Sequence, residues 1–252
     1  MSILTHAAIK AAISIGAIKI EGLKEGSIGT ESIDLHLGSE IKILTFNSTK
    51  KIYDEFEDYY LDIVDPKKPS KYIEIEWDDD DSILLLPNEL YLGHTIEFVG
   101  SEFYHFSLHD KSSTARIGIG THLNSGFGDC GFYGQITLEI EVTKPTLLYK
   151  GMAICQISFE TMQGSRMLYS DRTSSKYMNQ TGATESKIQN NFIPELTFES
   201  VSKLAHQKGL HIAANKNTIT KKVLSFEIYE REDQTLFTCK TLEEAKTYLE
   251  KS

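Results

Sequence analysis

Glu139 stands in the middle of an alternating segment, QITLEIEV, that follows directly on a glycine-rich turn, GDCGFYG. A carboxylate on a strand can take a proton from water and return it to a leaving group if its surroundings exclude bulk water and raise its pKa. Ile136, Leu138, Ile140 and Val142 fall on one face of this segment, and Thr137, Glu139 and Glu141 on the other. Periodicity alone puts the second face in water, so a catalytic Glu139 requires that face to line a pocket. Asp129 lies in the turn, where aspartate serves equally as a turn former or as an acceptor for a sugar hydroxyl. Upstream, HDKSSTARIG carries Lys111, Ser112, Ser113 and Arg116. Small hydroxyl residues let backbone amides approach an anion, and the cations neutralise it. Downstream, Tyr169, Arg172, Lys176, Tyr177 and Gln180 punctuate a polar tail. Such residues could fold over a polyphosphate, although a solvated tail would have the same composition. A base candidate beside an anion-binding segment points to an enzyme acting on a phosphorylated small molecule.

The bulk numbers narrow this. The chain has 252 residues, 40% hydrophobic and 25% charged, as ordinary globular proteins have. Its 36 acidic and 26 basic residues give a net charge of -10, which disfavours nucleic acid backbone and anionic membranes as partners but leaves room for a nucleotide in a local basic pocket. Three cysteines without a CxxC pair predict neither a disulfide framework nor a zinc knuckle, and favour a reducing cytoplasm. Neither a signal-peptide cleavage site nor an apolar span of about 20 residues is evident. GxxxxGK[ST], GxGxxG and GxSxG are absent, as is the zinc-deaminase pattern H-x-E with P-C-x-x-C, so no catalytic zinc is expected. His109 and His122, which flank the basic segment, read as packing or capping residues.

These groups need a scaffold. Thr5 to Gly16 predicts a short helix with Ala8, Ile9, Ala12 and Ile13 on its apolar face. SIDLHLG and, from Ser82 onward, a rapid series of short apolar runs predict an antiparallel barrel or jelly-roll-like sandwich. Residues 46–82, polar and acidic with the run Asp78 to Asp81, read as a solvated insertion or long hairpin. The stretch after Phe159 reads as a tail that is disordered or ordered by a ligand or neighbouring subunit. Residues 195–252 regain core patterning as helix, strand, strand and helix, with Thr241 as N-cap and Glu244 at the capping-box position. This is a small α+β appendage with no chemical motif, suited to docking or stabilising an oligomer. The expected division is a β domain over 1–190 and the appendage over 195–252.

Five collinear segments carry a resemblance: SIDLHLG at 32–38, LLPNELYLGHTIEFV at 85–99, KSSTARIG at 111–118, GDCGFYGQITLEI at 128–140 and KYMNQTGATESK at 176–187. They are similar to S-[IV]-D-[LV]-R-L-G, P-G-E-L-x-L-x-x-T-x-E, R-S-S-L-A-R-x-G, I-D-P-G-F-x-G-x-I-T-L-E-L and K-Y-x-x-Q-x-G-x-x-x-S-[RK]. Taken together they resemble the dCTP deaminase branch of the dUTPase-like superfamily over residues 3–188. The resemblance implies a distorted jelly-roll-like β-barrel and a homotrimer (or hexamer) with sites shared between subunits. It implies hydrolytic deamination of dCTP, or of a 5-substituted dCTP, with no metal at the base. Glu139 would be the acid/base, Arg116 would orient it, and Ser112 would contact the phosphates or the catalytic water. Asp129 would hold the deoxyribose 3′-hydroxyl. Tyr169, Lys176 and Gln180 would close over the triphosphate, and Mg2+ would arrive bound to it rather than to the protein. Lys111, Ser113, Ser125, Thr137 and Leu138 complete the expected substrate contacts.

Departures from the pattern are informative. Lys111 stands where arginine is usual, giving a point charge for a two-pronged grip. Asn124-Ser125 stands for Thr-Ala in the segment that reads the base. Gly126-Phe127 replaces the His-Arg pair of one branch and resembles the other, which includes bifunctional members that carry dCTP through to dUMP and pyrophosphate. Two further readings stay open: a plain dUTPase, with Asp129 activating water, and a nucleotide-binding regulator without turnover. Glu139 favours deamination over both.

Overall fold

Alternating branched and polar residues build the strands, and the apolar member of each pair decides which way they face. A computed structural model of the chain describes residues 2–52, 59–192, 198–216, 223–231 and 234–251. It divides into two units, Met1–Asn190 and Asn191–Ser252.

In the first unit, helix His6–Ser14 buries Ile9 and Ala12 and stops at Ile15, where Gly16 takes a positive φ of 74°. One antiparallel sheet runs, in spatial order, through Ile119–Gly120, Tyr133–Val142, Tyr91–Gly100, Ile41–Thr45 and Lys71–Ile75, with Lys19–Glu21 also paired to Tyr91–Gly100. A second runs through Phe127–Gly128, His105–Asp110, Ala153–Glu160 and Ile33–His36. One core cluster draws on both, including Leu35, Ile41, Leu138, Ile140, Ile157 and Phe159, none of them exposed. Burying each such side chain contributes about 1.5–3 kcal/mol. The fold is mainly β, of the jelly-roll-like kind the strand pattern predicts.

The pairing of the two ten-residue strands is interrupted. Register jumps from Gln135 opposite Phe98 to Thr137 opposite His94, so Ile136 alone faces Thr95 to Glu97. The Thr95 hydroxyl repairs the gap: Oγ1 accepts from Ile136 N at 2.9 Å and donates to Glu97 O at 2.8 Å. The bulge carries Glu97 into the interior, where it is fully buried. There its carboxylate accepts from the backbone N of His36 at 2.9 Å and lies 2.7 Å from His36 Nδ1.

Residues 46–82, expected to be a solvated insertion or a long hairpin, include a hairpin, Ser48–Ile52 with Tyr59–Ile63, and a further strand, Lys71–Ile75, which extends the first sheet. Asn47 pins the intervening loop. Its Nδ2 donates to Asp65 O and Pro69 O, each at 3.0 Å, and its Oδ1 accepts from Asp65 N at 2.7 Å. A polar composition hid a structural role because the loop is held by an amide side chain rather than by apolar packing.

The second unit has helix Phe198–Gln207, strands His211–Lys216, Val223–Arg231 and Gln234–Cys239 in a three-stranded antiparallel sheet, and helix Leu242–Lys251. Val201, Ala205, Ile228, Ala245 and Leu249 form its core. The capping box is formed: Glu244 N donates to Thr241 Oγ1 at 3.2 Å, and Glu244 Oε2 accepts from Thr241 N at 3.4 Å. Strand His211–Lys216 escaped sequence reading, because its inward residues, Ile212 and Ala214, make only a weak alternation. Among the described residues no helix is long and apolar enough to cross a membrane, and Cys130, Cys155 and Cys239 are buried free thiols.

Candidate active site

The polar face of strand Tyr133–Val142 does line a pocket. Leu138 and Ile140 are wholly buried on the core side, while Thr137 and Glu139 are half-buried on the other. A cavity of about 570 Å³ opens over that second face and is bounded by Ser125, Asp129, Thr137, Glu139, Tyr169 and Gln180 among the residues singled out in the sequence. Leu138 does not reach it. Its side chain is locked in the core, which leaves only its main chain to meet a ligand.

Glu139 sits opposite Leu92 and forms an isolated parallel bridge with His122. Burial pushes its carboxyl above the usual carboxylate range, opposed by a hydrogen bond from Ser125 and by nearby His122. Ser125 Oγ donates to Glu139 Oε2. The segment leading to Ser125 is turned by Leu123 and Asn124, both at positive φ (35° and 67°). Gly126 then passes so close to the second sheet that a Cβ would lie 2.5 Å from Leu108 O, and a Cβ on Gly128 would overlap the Phe106 ring at 2.1 Å. Glycine is therefore a packing requirement on both sides of Phe127.

The tail folds along its own strand. Gln135 N donates to Gln180 O at 3.0 Å, and Gln180 Nε2 donates to Gln135 O at 2.8 Å. Gly182 N donates to Gln135 Oε1 at 2.7 Å and Thr184 N to Thr137 Oγ1 at 3.3 Å. Such close approach needs Gly134, whose Cβ would sit 3.0 Å from Gln180 backbone atoms. Tyr169 organises the turn before it: its hydroxyl accepts from Lys176 N and Tyr177 N, each at 3.1 Å, and its ring meets Phe132 edge-on. Intrachain hydrogen bonds tie these segments to strand Tyr133–Val142 and to the turn at Tyr169. The Lys176 side chain does not line the cavity.

Nor do the cations of KSSTAR. Lys111 Nζ pairs with Asp34 Oδ2 at 2.5 Å. Arg116 Nη1 donates to Ser112 Oγ at 2.5 Å and to Ser112 O at 3.3 Å, from an exposed position after the short helix Ser112–Ala115. Ser112, Ser113 and Arg116 therefore form a separate exposed group, and Arg116 bonds Ser112 rather than Glu139. No described lysine or arginine lines the cavity, whose charged groups are Asp129 and Glu139. The sequence reading missed Val64, Pro66 and Tyr72 from the inserted segment, and Leu90 and Leu92, all of which wall the cavity. Leu44, Leu90 and Tyr72 could have been found from strand pairing, but only once Lys71–Ile75 was placed in the sheet.

The geometry is thus a buried-face carboxylate with a raised pKa, beside a turn carboxylate, in a cavity of nucleoside size. A protein-family model described as dCTP deaminase-like matches residues 3–162. The chain belongs to the dCTP deaminase-like family. Relatives described as "dCTP deaminase, dUMP-forming" include one from Clostridium acetobutylicum, 36% identical over 165 residues that span 62% of this chain and 93% of the relative. Another, from Corynebacterium jeikeium, is 36% identical over 197 residues, spanning 75% of this chain and 98% of the relative. A crystal structure of 2′-deoxycytidine 5′-triphosphate deaminase from Agrobacterium tumefaciens aligns with a TM-score of 0.45 and 22% identity, covering 64% of this chain and 48% of that one. The matched range contains Glu139, Asp129 and the KSSTAR segment and ends before Tyr169, Tyr177 and Gln180, which line the cavity.

Proposed function

We propose that this chain hydrolyses dCTP to dUMP, ammonia and pyrophosphate, with Glu139 as the acid/base. The observation that carries the reading is Glu139 itself, held half-buried on a cavity wall with its pKa raised by burial. In the first step Glu139 takes a proton from water, and the water oxygen bonds to C4 of cytosine. The proton passes to N3, and a second transfer releases the amino group as ammonia. Asp129 holds the 3′-hydroxyl. In the second step water cleaves the bond between the α-phosphate and the pyrophosphate. The names of the relatives support the dUMP-forming outcome, which moves the expected product from dUTP to dUMP.

The polyphosphate needs cations that the cavity lacks. A symmetric trimer supplies positive charge if the exposed Ser112, Ser113 and Arg116 group of one copy, with the half-buried Lys111 beside it, docks next to the cavity of the next. Magnesium enters on the triphosphate.

Two measurements test this. With magnesium and dCTP, chromatography should show dUMP, pyrophosphate and ammonia. Accumulation of dUTP would restrict the enzyme to the first step, and turnover of dUTP alone would overturn deamination. Separately, inactive Arg116→Ala and Glu139→Gln chains should regain activity when refolded together, because about a quarter of the sites in random trimers pair two intact halves. Two inactive parents with no recovery on mixing would reject the shared site.

A further inference from the structure

Ser125 stands where the family pattern commonly has alanine, and its hydroxyl occupies an over-subscribed position. Ser125 N donates to His122 O at 2.5 Å, closing the turn. Its Oγ lies 2.6 Å from the same carbonyl and also contacts Glu139 Oε2. A hydroxyl has one hydrogen to give and two lone pairs to receive with. With Glu139 ionised, both neighbours are acceptors, and the single hydrogen serves only one. With a proton on Oε2, every group is satisfied: Glu139 donates to Ser125 Oγ, and Ser125 donates to His122 O.

We propose that Ser125 is a positioning residue that keeps the transferable proton of Glu139 on Oε2 and turns its own hydrogen from His122 O to the carboxylate once that proton leaves. The inference rests on Glu139 as acid/base. The backbone fixes the arrangement, since the left-handed residues Leu123 and Asn124 precede Ser125 and the crowded Gly126 follows it. Glu139 faces few other polar groups. The strand opposite presents Leu92. His122 adjoins Glu139 in the bridge, and Asp129, Tyr72, Tyr169 and Tyr177 share the cavity. Lys42, opposite Leu92 on the next strand, is engaged by Glu40 at 2.7 Å and Glu185 at 3.6 Å. Lys111 and Arg116, which the shared-site reading brings from a second copy, would act equally on wild type and variants.

The sign follows from which form loses more. Ser125→Ala removes a donor from the ionised carboxylate, and a hydrogen bond to a charged group is stronger than one between neutral groups. The ionised form is destabilised, so the pKa of Glu139 rises further. The acid limb of kcat for deamination should move up by about one pH unit, a tenfold loss on that limb. Ser125→Thr should return the limb to the wild-type position, and Ser125→Cys, with a weak S–H donor, should fall between. The same order should appear in the titration of the Glu139 carboxyl followed by NMR in protein labelled with 13C-carboxyl glutamate, its resonance assigned by its loss in Glu139→Gln. Coincident titrations in wild type and Ser125→Ala would overturn the proposal. A wild-type chain that releases no ammonia would instead sink the acid/base reading, and the carboxyl titration would still report whether Ser125 and Glu139 are coupled.

Discussion

Glu139→Gln is expected to lower kcat for ammonia release from dCTP about 10³-fold while leaving nucleotide affinity nearly unchanged. The amide fills the same volume, and its oxygen can still accept from Ser125, so the cavity keeps its shape. What it cannot do is take a proton from water or return one to a leaving amine. Loss confined to kcat is the signature of an interaction made in the transition state alone. Single-turnover ammonia release, set beside calorimetric titration with magnesium–dCTP, separates the two quantities. Residual deamination within about tenfold of wild type would remove Glu139 from the chemistry. Parallel loss of binding would make it a substrate contact instead.

Glu97→Ala should cost about 3 kcal/mol of stability, the second largest effect expected. Glu97 is fully buried and accepts from the His36 backbone N, and it faces His36 Nδ1. Alanine would strand both His36 groups and leave a cavity behind. Glu97→Gln should be much milder, because its oxygen can serve the backbone amide while its NH2 meets an unprotonated Nδ1. Denaturant unfolding followed by fluorescence reads this cleanly. Trp77 is the single tryptophan, and its Nε1 donates to Ser39 O at 2.6 Å, close in sequence to His36. A loss below about 1 kcal/mol for the alanine variant would show that the pair contributes little to the fold.

Most strands of the first unit and the candidate carboxylate were legible because they rest on short-range pattern. QITLEIEV announces both its period and its odd residue, and Thr241 with Glu244 announces a helix start. Two things were not legible, for different reasons. Whether the Glu139 face met water depended on the tail and the 64–72 segment, which lie far away along the chain and touch it only through pairing and side-chain bonds. The roles expected of Ser112 and Arg116 came from motif order, yet in the single chain neither residue lines the cavity. Motif order along a sequence carries no mark of which residues line one cavity.

The interruption between Gln135 and Thr137 also bears on how this chain can change in length. Two residues more on one strand than on its partner leave the parity of both strands intact, so Leu138 still points inward and Glu139 outward on the far side. A single-residue deletion within Thr95 to Glu97 would break that parity, driving Glu139 toward the core or stranding His36. Tyr72 is placed by a different contact, the pairing of Ile41–Thr45 with Lys71–Ile75. Single-residue insertions and deletions in the bulge should therefore be lethal to the site.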